Sequence, residues 1–286
     1  MTVCRTLSRL LSVAFIALIT VFIADTAIAQ EYKESFNAGI EAAKARDYAS
    51  AVTHFNTAAA GAATEGDADV ERRSNGYISK IEYSLGLSQL KTEAFDAALS
   101  HFDNGIAKDP AYPKNYLARA SALKQKGEID AAIPAFAEAA SKAAAANDSK
   151  TERQATQSIR DHYIFIASSA LSRNGNRTSS ADADEALEAL MMLQNFVTED
   201  DADIMYYFAE VHKVKGEYSD AVSMADQALS LHRGSRTDKA KIFYVKGEAL
   251  VALGNVSGAK EAFAGAAYGS YKASAEHYIE TLGTNN

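Results

Sequence analysis

The sequence predicts an all-α fold, an α-solenoid of about six helix-turn-helix pairs with a C-terminal closing helix. Three observations predict it. About one residue in five is alanine, and the 286 residues hold three prolines and no tryptophan; alanine loses the least conformational freedom on entering a helix, and proline breaks one. Small and bulky residues recur at fixed mutual spacing. The spacing itself repeats: Gly86, Phe95, Ala98, Phe102 and Gly105 are echoed 34 residues on by Ala120, Ile129, Ala132, Phe136 and Ala139. A period in the thirties with two helical patterns inside it is the sequence form of stacked helix hairpins.

Residues 1–29 read as an export signal. Arg5 and Arg9 precede an almost wholly apolar run, Leu10 to Ile23, and Ala27-Ile28-Ala29 supplies the small residues of a cleavage site before Gln30. The run is short for a full membrane span of about 20 residues. The only cysteine, Cys4, lies before the run, where it cannot be a lipid anchor. The mature chain then has no disulfide, no thiolate nucleophile and no sulfur ligand. Residues 30–286 form the repeat domain, with possible sub-arrays 32–146 and 152–282.

The first pair covers about 34 to 59, with Gly39, Tyr48, Ala51, Phe55 and Ala58 in register and Arg46-Asp47 at the turn. Residues 60–76 interrupt the period, because Gly39 and Gly86 are 47 apart. Their three glycines and the charges Asp67, Asp69, Glu71, Arg72 and Arg73 read as a longer connection, polar, flexible and facing solvent, with an extended helix end as the alternative. Residues 77–108 and 114–146 are the next two pairs, separated by Asp109-Pro110 and Tyr112-Pro113. Proline ends the helix before it and suits the first turn of the next. Pro134 falls in a first turn if Asp130 caps its helix.

Residues 152–173 read as an amphipathic helix stopped by Asn174-Gly175-Asn176, and 183–197 as its degenerate partner. Residues 202–232 and 238–267 restore the pattern with an offset of 38, turning at Gly216 and Gly254. Residues 271–282 close the array.

With the small residue of each first helix as origin, a large residue follows at +9 (Tyr48, Phe95, Ile129, Tyr218, Val256) and alanine at +12 (Ala51, Ala98, Ala132, Ala221, Ala259). A bulky residue usually follows at +16 and a small one at +19. Helices approach closely only where Gly or Ala leaves room, and the bulky residues fill the space beside them. The +12, +16 and +19 positions share one face of the second helix. One hairpin cannot bury that face, so neighbours stack.

On Leu85-Gly86, Ala98, Phe102 and Pro110, and again on Gly247, Ala259, Phe263 and Ala266, the chain resembles the tetratricopeptide repeats over most of residues 33–267. It departs from them in lacking tryptophan and in carrying Ala225 where a bulky +16 residue is usual. The resemblance implies a right-handed superhelix whose groove is lined by first helices and binds peptides or proteins. On that basis the groove residues are Tyr83, Leu87, Leu117, Tyr206 and Tyr244, with Lys80, Lys114 and Lys241 one turn earlier. Aromatics flanked by lysines suit an extended, partly acidic peptide. Leu87 and Ser121 stand where a chaperone-tail clamp would need asparagine, so that ligand is not expected.

Net charge is −8 and no basic block is present, which disfavours nucleic acid and anionic lipid as partners. Phosphate-loop and dinucleotide fingerprints are absent. The six histidines are scattered, without His-x-x-x-His spacing, so no metal or cofactor is expected. Asp182-Asp184-Glu185 and Glu199-Asp200-Asp201 lack the ligand alternation of a calcium loop and fit helix starts instead. Asn147, Asn176 and Asn255 begin glycosylation tripeptides, which matter only in a host that glycosylates exported chains. The expected function is an exported, non-catalytic scaffold for a peptide or protein partner, in the periplasm or cell envelope. The alternative is a glycan or small-ligand module in which groove tyrosines stack on sugars.

The register makes Ala98 a contact point between helices. Ala98→Leu should cost about 1–3 kcal/mol by overpacking; an unchanged melting temperature would overturn the register.

Overall fold

The computed structural model describes residues 31–173, 178–197 and 201–283. Residues 1–29, read above as an export signal, the expected Asn174-Gly175-Asn176 stop and Glu199-Asp200 lie outside them. The chain divides into two compact units, Met1–Ala155 and Thr156–Asn286. Among the described residues there are thirteen α-helices and no strand. They are α1 (31–44), α2 (Tyr48–Glu65), α3 (Ala68–Leu90), α4 (Phe95–Lys108), α5 (Pro113–Lys126), α6 (Ile129–Ala145) and α7 (Ser149–Ser172), then α8 (Ser180–Gln194), α9 (Ala202–Lys215), α10 (Tyr218–Leu231), α11 (Arg236–Ala252), α12 (Val256–Ala266) and α13 (Lys272–Thr281). No described helix is long and apolar enough to cross a membrane.

One turn joins the two helices of a pair wherever the repeat is regular. The residue at +7 from the origin is left-handed in all five: Arg46 (φ 63°), Glu93 (φ 58°), Gly127 (φ 90°), Gly216 (φ 79°) and Gly254 (φ 73°). The next residue then donates its N–H back five positions, as in Asp47 to Ala42 O (2.9 Å), Glu128 to Leu123 O (3.0 Å) and Glu217 to His212 O (2.8 Å). This bond satisfies a carbonyl that the helix end leaves open. The same residue precedes the second helix, and as Asp47 or Asn255 its side chain caps it, accepting from Ser50 N at 3.2 Å and Gly258 N at 2.9 Å.

The same device joins helices within 60–76, where the extended helix end is found in place of a flexible connection. Helix α2 continues to Glu65 and α3 starts at Ala68. Only Gly66 (φ 72°) and Asp67 interrupt the helix; Asp67 N–H donates to Ala62 O at 2.8 Å, and its carboxylate accepts from Val70 N at 3.1 Å and from the Tyr32 hydroxyl at 2.9 Å. The extra residues therefore lengthen α3 to 23 residues. Ala-rich sequence carries α2 through Gly61, whose missing side chain admits Tyr32 Cβ of α1. A second expectation also changes. Glu128, not Asp130, precedes α6, so Pro134 lies beyond the first turn, inside the helix. It removes the N–H that would have met the Asp130 carbonyl, on an exposed face where water can take its place.

In the first unit, one core joins Phe36 of α1, Ala51, Phe55 and Ala58 of α2, and Ile78 and Ile81 of α3. Another joins Ala98 and Phe102 of α4 with Ala118 and Ala122 of α5, covered by Tyr83 and Leu87 of α3. In the second unit, Met205 and Ala209 of α9 meet Ala225 and Ala228 of α10 and Ile242 and Val245 of α11. Leu250 of α11, Phe263 of α12 and Ala275 of α13 form the last core, where Tyr278 stacks on Phe263 at 4.3 Å. In these cores α2, α4 and α10 are each shared between two first helices, and α3 also touches α5, as α9 touches α11. That is the packing of a tetratricopeptide-type array.

Close approach is set by the small residues. An added Cβ on Gly39 would lie 2.8 Å from Phe55 Cε1, one on Gly247 2.7 Å from Phe263 Cε1, and one on Gly86 closer still to Phe102 Cε1. Gly105 has a different task. It leaves room for Asn115, whose amide donates to Ser79 Oγ at 2.9 Å and Ser79 O at 3.2 Å in the interior.

Gly247→Ala should destabilise by about 1–3 kcal/mol, because the rigid Phe263 ring cannot yield and overpacking outweighs helix propensity. Glu93→Gly should act oppositely, gaining up to about 1 kcal/mol by relieving a left-handed side chain. Thermal melts of the two variants check both signs.

Candidate partner-binding face

The first helices present matching columns of residues. Six before the origin stand Lys33, Lys80, Lys114, Asp203 and Lys241; three before it stand Phe36, Tyr83, Leu117, Tyr206 and Tyr244. Because helices one repeat apart touch side by side, residues one period apart become neighbours. The two units fill these columns differently.

In the second unit the columns close on themselves. Lys241 and Asp203, one period of 38 apart, pair at 2.8 Å, and the ammonium lies 4.7 Å from the Tyr206 ring centroid. Arg160 of α7 holds Asp201 through Nε and Nη2 at 3.0 and 3.1 Å, and reaches Asp203 at 2.9 Å. Asp201 also caps α9, accepting from Asp203 N at 2.8 Å and Ile204 N at 3.2 Å. Burial raises the pKa of both carboxyls, but Arg160, Lys241 and the backbone donors outweigh it and hold them below the usual range. Farther along, Lys213 lies between Glu210 (2.9 Å) and Glu248 (2.8 Å). Burial disfavours its charge, yet the two carboxylates push its pKa up.

The tyrosines of this unit are engaged too. Tyr206 packs on Tyr207 at 5.0 Å; burial above all, then Glu210, raises its phenol, with Tyr271 and Tyr207 adding to it. Tyr244 meets Tyr271 at 5.0 Å, Phe263 at 5.5 Å and Tyr278 at 6.1 Å. A shallow recess of roughly 380 Å³ remains beside them, lined by Asp203, His232, Thr237, Asp238, Lys241, Ser270 and Tyr271.

In the first unit the columns are open. Lys80 and Lys114 are exposed, 5.9 Å from the Tyr77 ring centroid and 6.0 Å from that of Tyr112. Among the described residues no carboxylate lies within ion-pair distance of either. Tyr83 is half-buried against Phe102 (6.3 Å) and edge-on to Tyr112 (5.9 Å), and Leu87 covers the same core. Leu117 is half-buried, its carbonyl accepting from Ser121 Oγ at 2.9 Å. The structure therefore brings Lys80, Tyr83 and Leu87 together on α3, with Lys114 and Leu117 on the neighbouring α5. It groups Tyr206, Lys241 and Tyr244 separately, in the second unit.

Sequence reasoning missed Lys33 and Phe36, which occupy the same columns in the first repeat. It also set aside Arg72 and Arg73 as part of a connection. Among the described residues one trio has metal-ligand proximity: His212, Glu217 and Asp220 at the α9–α10 turn offer ligand atoms within 4.8 Å of one another. The hydrogen bond between His212 Nδ1 and Glu217 Oε2 at 2.6 Å accounts for the closest pair.

The fold is of the tetratricopeptide-repeat type. No family model matches the chain, and no curated protein matches it. Similar solved structures include a thermophilic TPR protein of Thermus thermophilus, at 16% identity and TM-score 0.31, with 71% of this chain and 99% of that one covered. MamA protein is 18% identical at TM-score 0.35, covering 67% of this chain and 91% of its own. A tetratricopeptide repeat protein of Parabacteroides merdae is 14% identical at TM-score 0.30, covering 88% and 98%.

Arg160→Met should destabilise the protein at pH 7 by about 1–2 kcal/mol. Because the folded pKa values of Asp201 and Asp203 are depressed, their contribution is present above the unfolded carboxylate range and lost as they protonate. The gap between variant and wild type should persist at pH 5 and close below about pH 4. Circular dichroism melts across that range check it.

Proposed function

We propose that the chain is an exported, non-catalytic scaffold that holds a peptide or protein partner along the first-helix face of its repeats. The observation that carries this reading is the open column of the first unit. Lys80 and Lys114 recur at one period, stay exposed with no described carboxylate at ion-pair distance, although Asp148 feels the charge of Lys114, and stand beside half-buried Tyr83, Leu87 and Leu117. A periodic, rigid surface of cations and apolar ledges suits an extended chain that meets one repeat after another. Export rests on residues 1–29, with their positive start, apolar run and small-residue cleavage site.

The glycan alternative draws less support. Sugar stacking needs free ring faces, whereas Tyr206 and Tyr244 spend theirs on Lys241, Tyr207, Tyr271, Phe263 and Tyr278.

Lysine crosslinking in the native host, followed by mass spectrometry, tests the proposal. Partner peptides should attach to Lys80 and Lys114 in preference to Lys108, which is exposed on a second helix, and the mature chain should begin at Gln30. Crosslinks concentrated on Lys108, or a chain retaining residues 1–29, would overturn the corresponding half of the reading.

A further inference from the structure

The 13 residues by which the interval from Gly39 to Gly86 exceeds 34 end up as extra helix, and that helix carries charge. Arg72 and Arg73 stand on it, Gly76 and Tyr77 follow, and Lys80 lies one turn beyond. These five residues, with Asp109 and Ala111 from the α4–α5 connection, line a recess of roughly 380 Å³ in the first unit. We propose that this recess binds a carboxylate of an acidic peptide segment, so that the lengthened α3 gives the scaffold a dedicated anchor for an Asp- or Glu-rich partner. The inference rests on the peptide-scaffold reading and names the chemistry of the partner at one point of that face.

The floor of the recess is built before any ligand arrives. Tyr77 stacks on Phe55 at 4.8 Å with the rings 2° from parallel, and Phe36 meets both edge-on at 5.7 and 5.9 Å. The Arg73 guanidinium lies 4.6 Å from the Phe36 ring centroid. A guanidinium over a ring keeps N–H donors at its rim; Arg73 directs Nη1 to Asp69 at 3.6 Å and has further donors for an oxyanion. A positioned arginine loses little entropy on binding. Gly76 keeps the wall low: a Cβ there would meet only Asp109 Oδ2, at 3.8 Å.

Charge selects the ligand. Arg72 and Arg73 both contact Asp69, Arg73 at 3.6 Å, and Asp109 stands across the recess. Three cations against two carboxylates leave one positive charge in excess. That surplus matches one carboxylate, whereas a phosphate dianion would be overcharged beside Asp69 and Asp109. The recess also stands out from the chain as a whole, whose net charge is −8. The matching lysine of the second unit, Lys241, is neutralised by Asp203, so the first unit is where an acidic segment gains attraction.

The test is fluorescence anisotropy on the full chain at low salt, with labelled hexaglutamate, hexaglutamine and a phosphoserine hexapeptide. Hexaglutamate should bind, hexaglutamine should not, and rising salt should weaken the complex. Lys80→Gln, at an exposed position whose loss leaves the core intact, should weaken binding several-fold. Arg73→Gln with Lys80→Gln should weaken it at least tenfold, while Lys91→Gln at the far end of α3 should leave it unchanged. Melts of each variant separate lost binding from lost fold. Tighter binding of the phosphoserine peptide, or equal binding by wild type and Lys80→Gln, would overturn the proposal. Absence of hexaglutamate binding alongside partner crosslinks at Lys80 and Lys114 would overturn the recess and leave the scaffold reading standing.

Discussion

A missing side chain set against an aromatic ring is the contact on which the repeats depend. Gly39 admits Phe55, Gly86 admits Phe102 and Gly247 admits Phe263, and in each case a Cβ would collide with the ring. The rings are fully buried, and the alanines at +12 beside them are excluded from solvent as well. Helix distance is therefore fixed at the origin of each repeat, and every other spacing follows from it. Helix propensity alone would favour alanine at all of these origins. At Gly39, Gly86 and Gly247 the ring lies too close for a Cβ, whereas Ala120 keeps its methyl with Phe136 at the same spacing and Ala209 faces the small Ala225, so the approach is set pair by pair.

That spacing decides more than the core. Fixing each pair and stacking it on the next brings first helices side by side, so side chains one period apart become lateral neighbours. In the second unit the result is a closed ladder, Arg160 to Asp201 and Asp203, and Asp203 to Lys241. In the first unit the same column holds lysines, like charges that do not pair and so remain available. One repeat geometry thus yields an ion-paired column in one unit and an unpaired column of lysines in the other. The difference lies in a single column of residues.

The lengthened α3 shows how an irregularity in a repeat becomes a feature. Gly66 and Asp67 close α2 and open α3 with the same backward hydrogen bond that turns every regular hairpin. The Tyr32 hydroxyl on Asp67 ties that junction to α1. What reads as a break in the period is a rigid extension, and it places Arg72 and Arg73 beside Tyr77 and Lys80. Rigidity matters here, because a cation on a flexible connection would lose far more freedom on meeting a ligand.

By itself the sequence determined the helix pairs, their order and the residues that let them approach. Those are local and periodic properties, written in spacings such as Gly86 to Phe102 and Gly247 to Phe263. Of the residues it assigned to a groove, Lys80 and Lys114 are exposed, whereas Tyr83 and Leu87 also cover the core around Phe102. At residues 60–76 it left a flexible connection and an extended helix end both open, because glycine and charge mark a loop by composition but a single left-handed residue with an aspartate cap suffices to join two helices. It misplaced the start of α6 by two residues, because the turn bond at Glu128, not the side chain of Asp130, sets where that helix begins. Only the tertiary structure decided which charges are spent. Lys80 and Lys241 occupy the same position in their repeats, yet one faces solvent and the other is held by Asp203. The reason is that an ion pair between residues 38 apart depends on what the neighbouring helix presents.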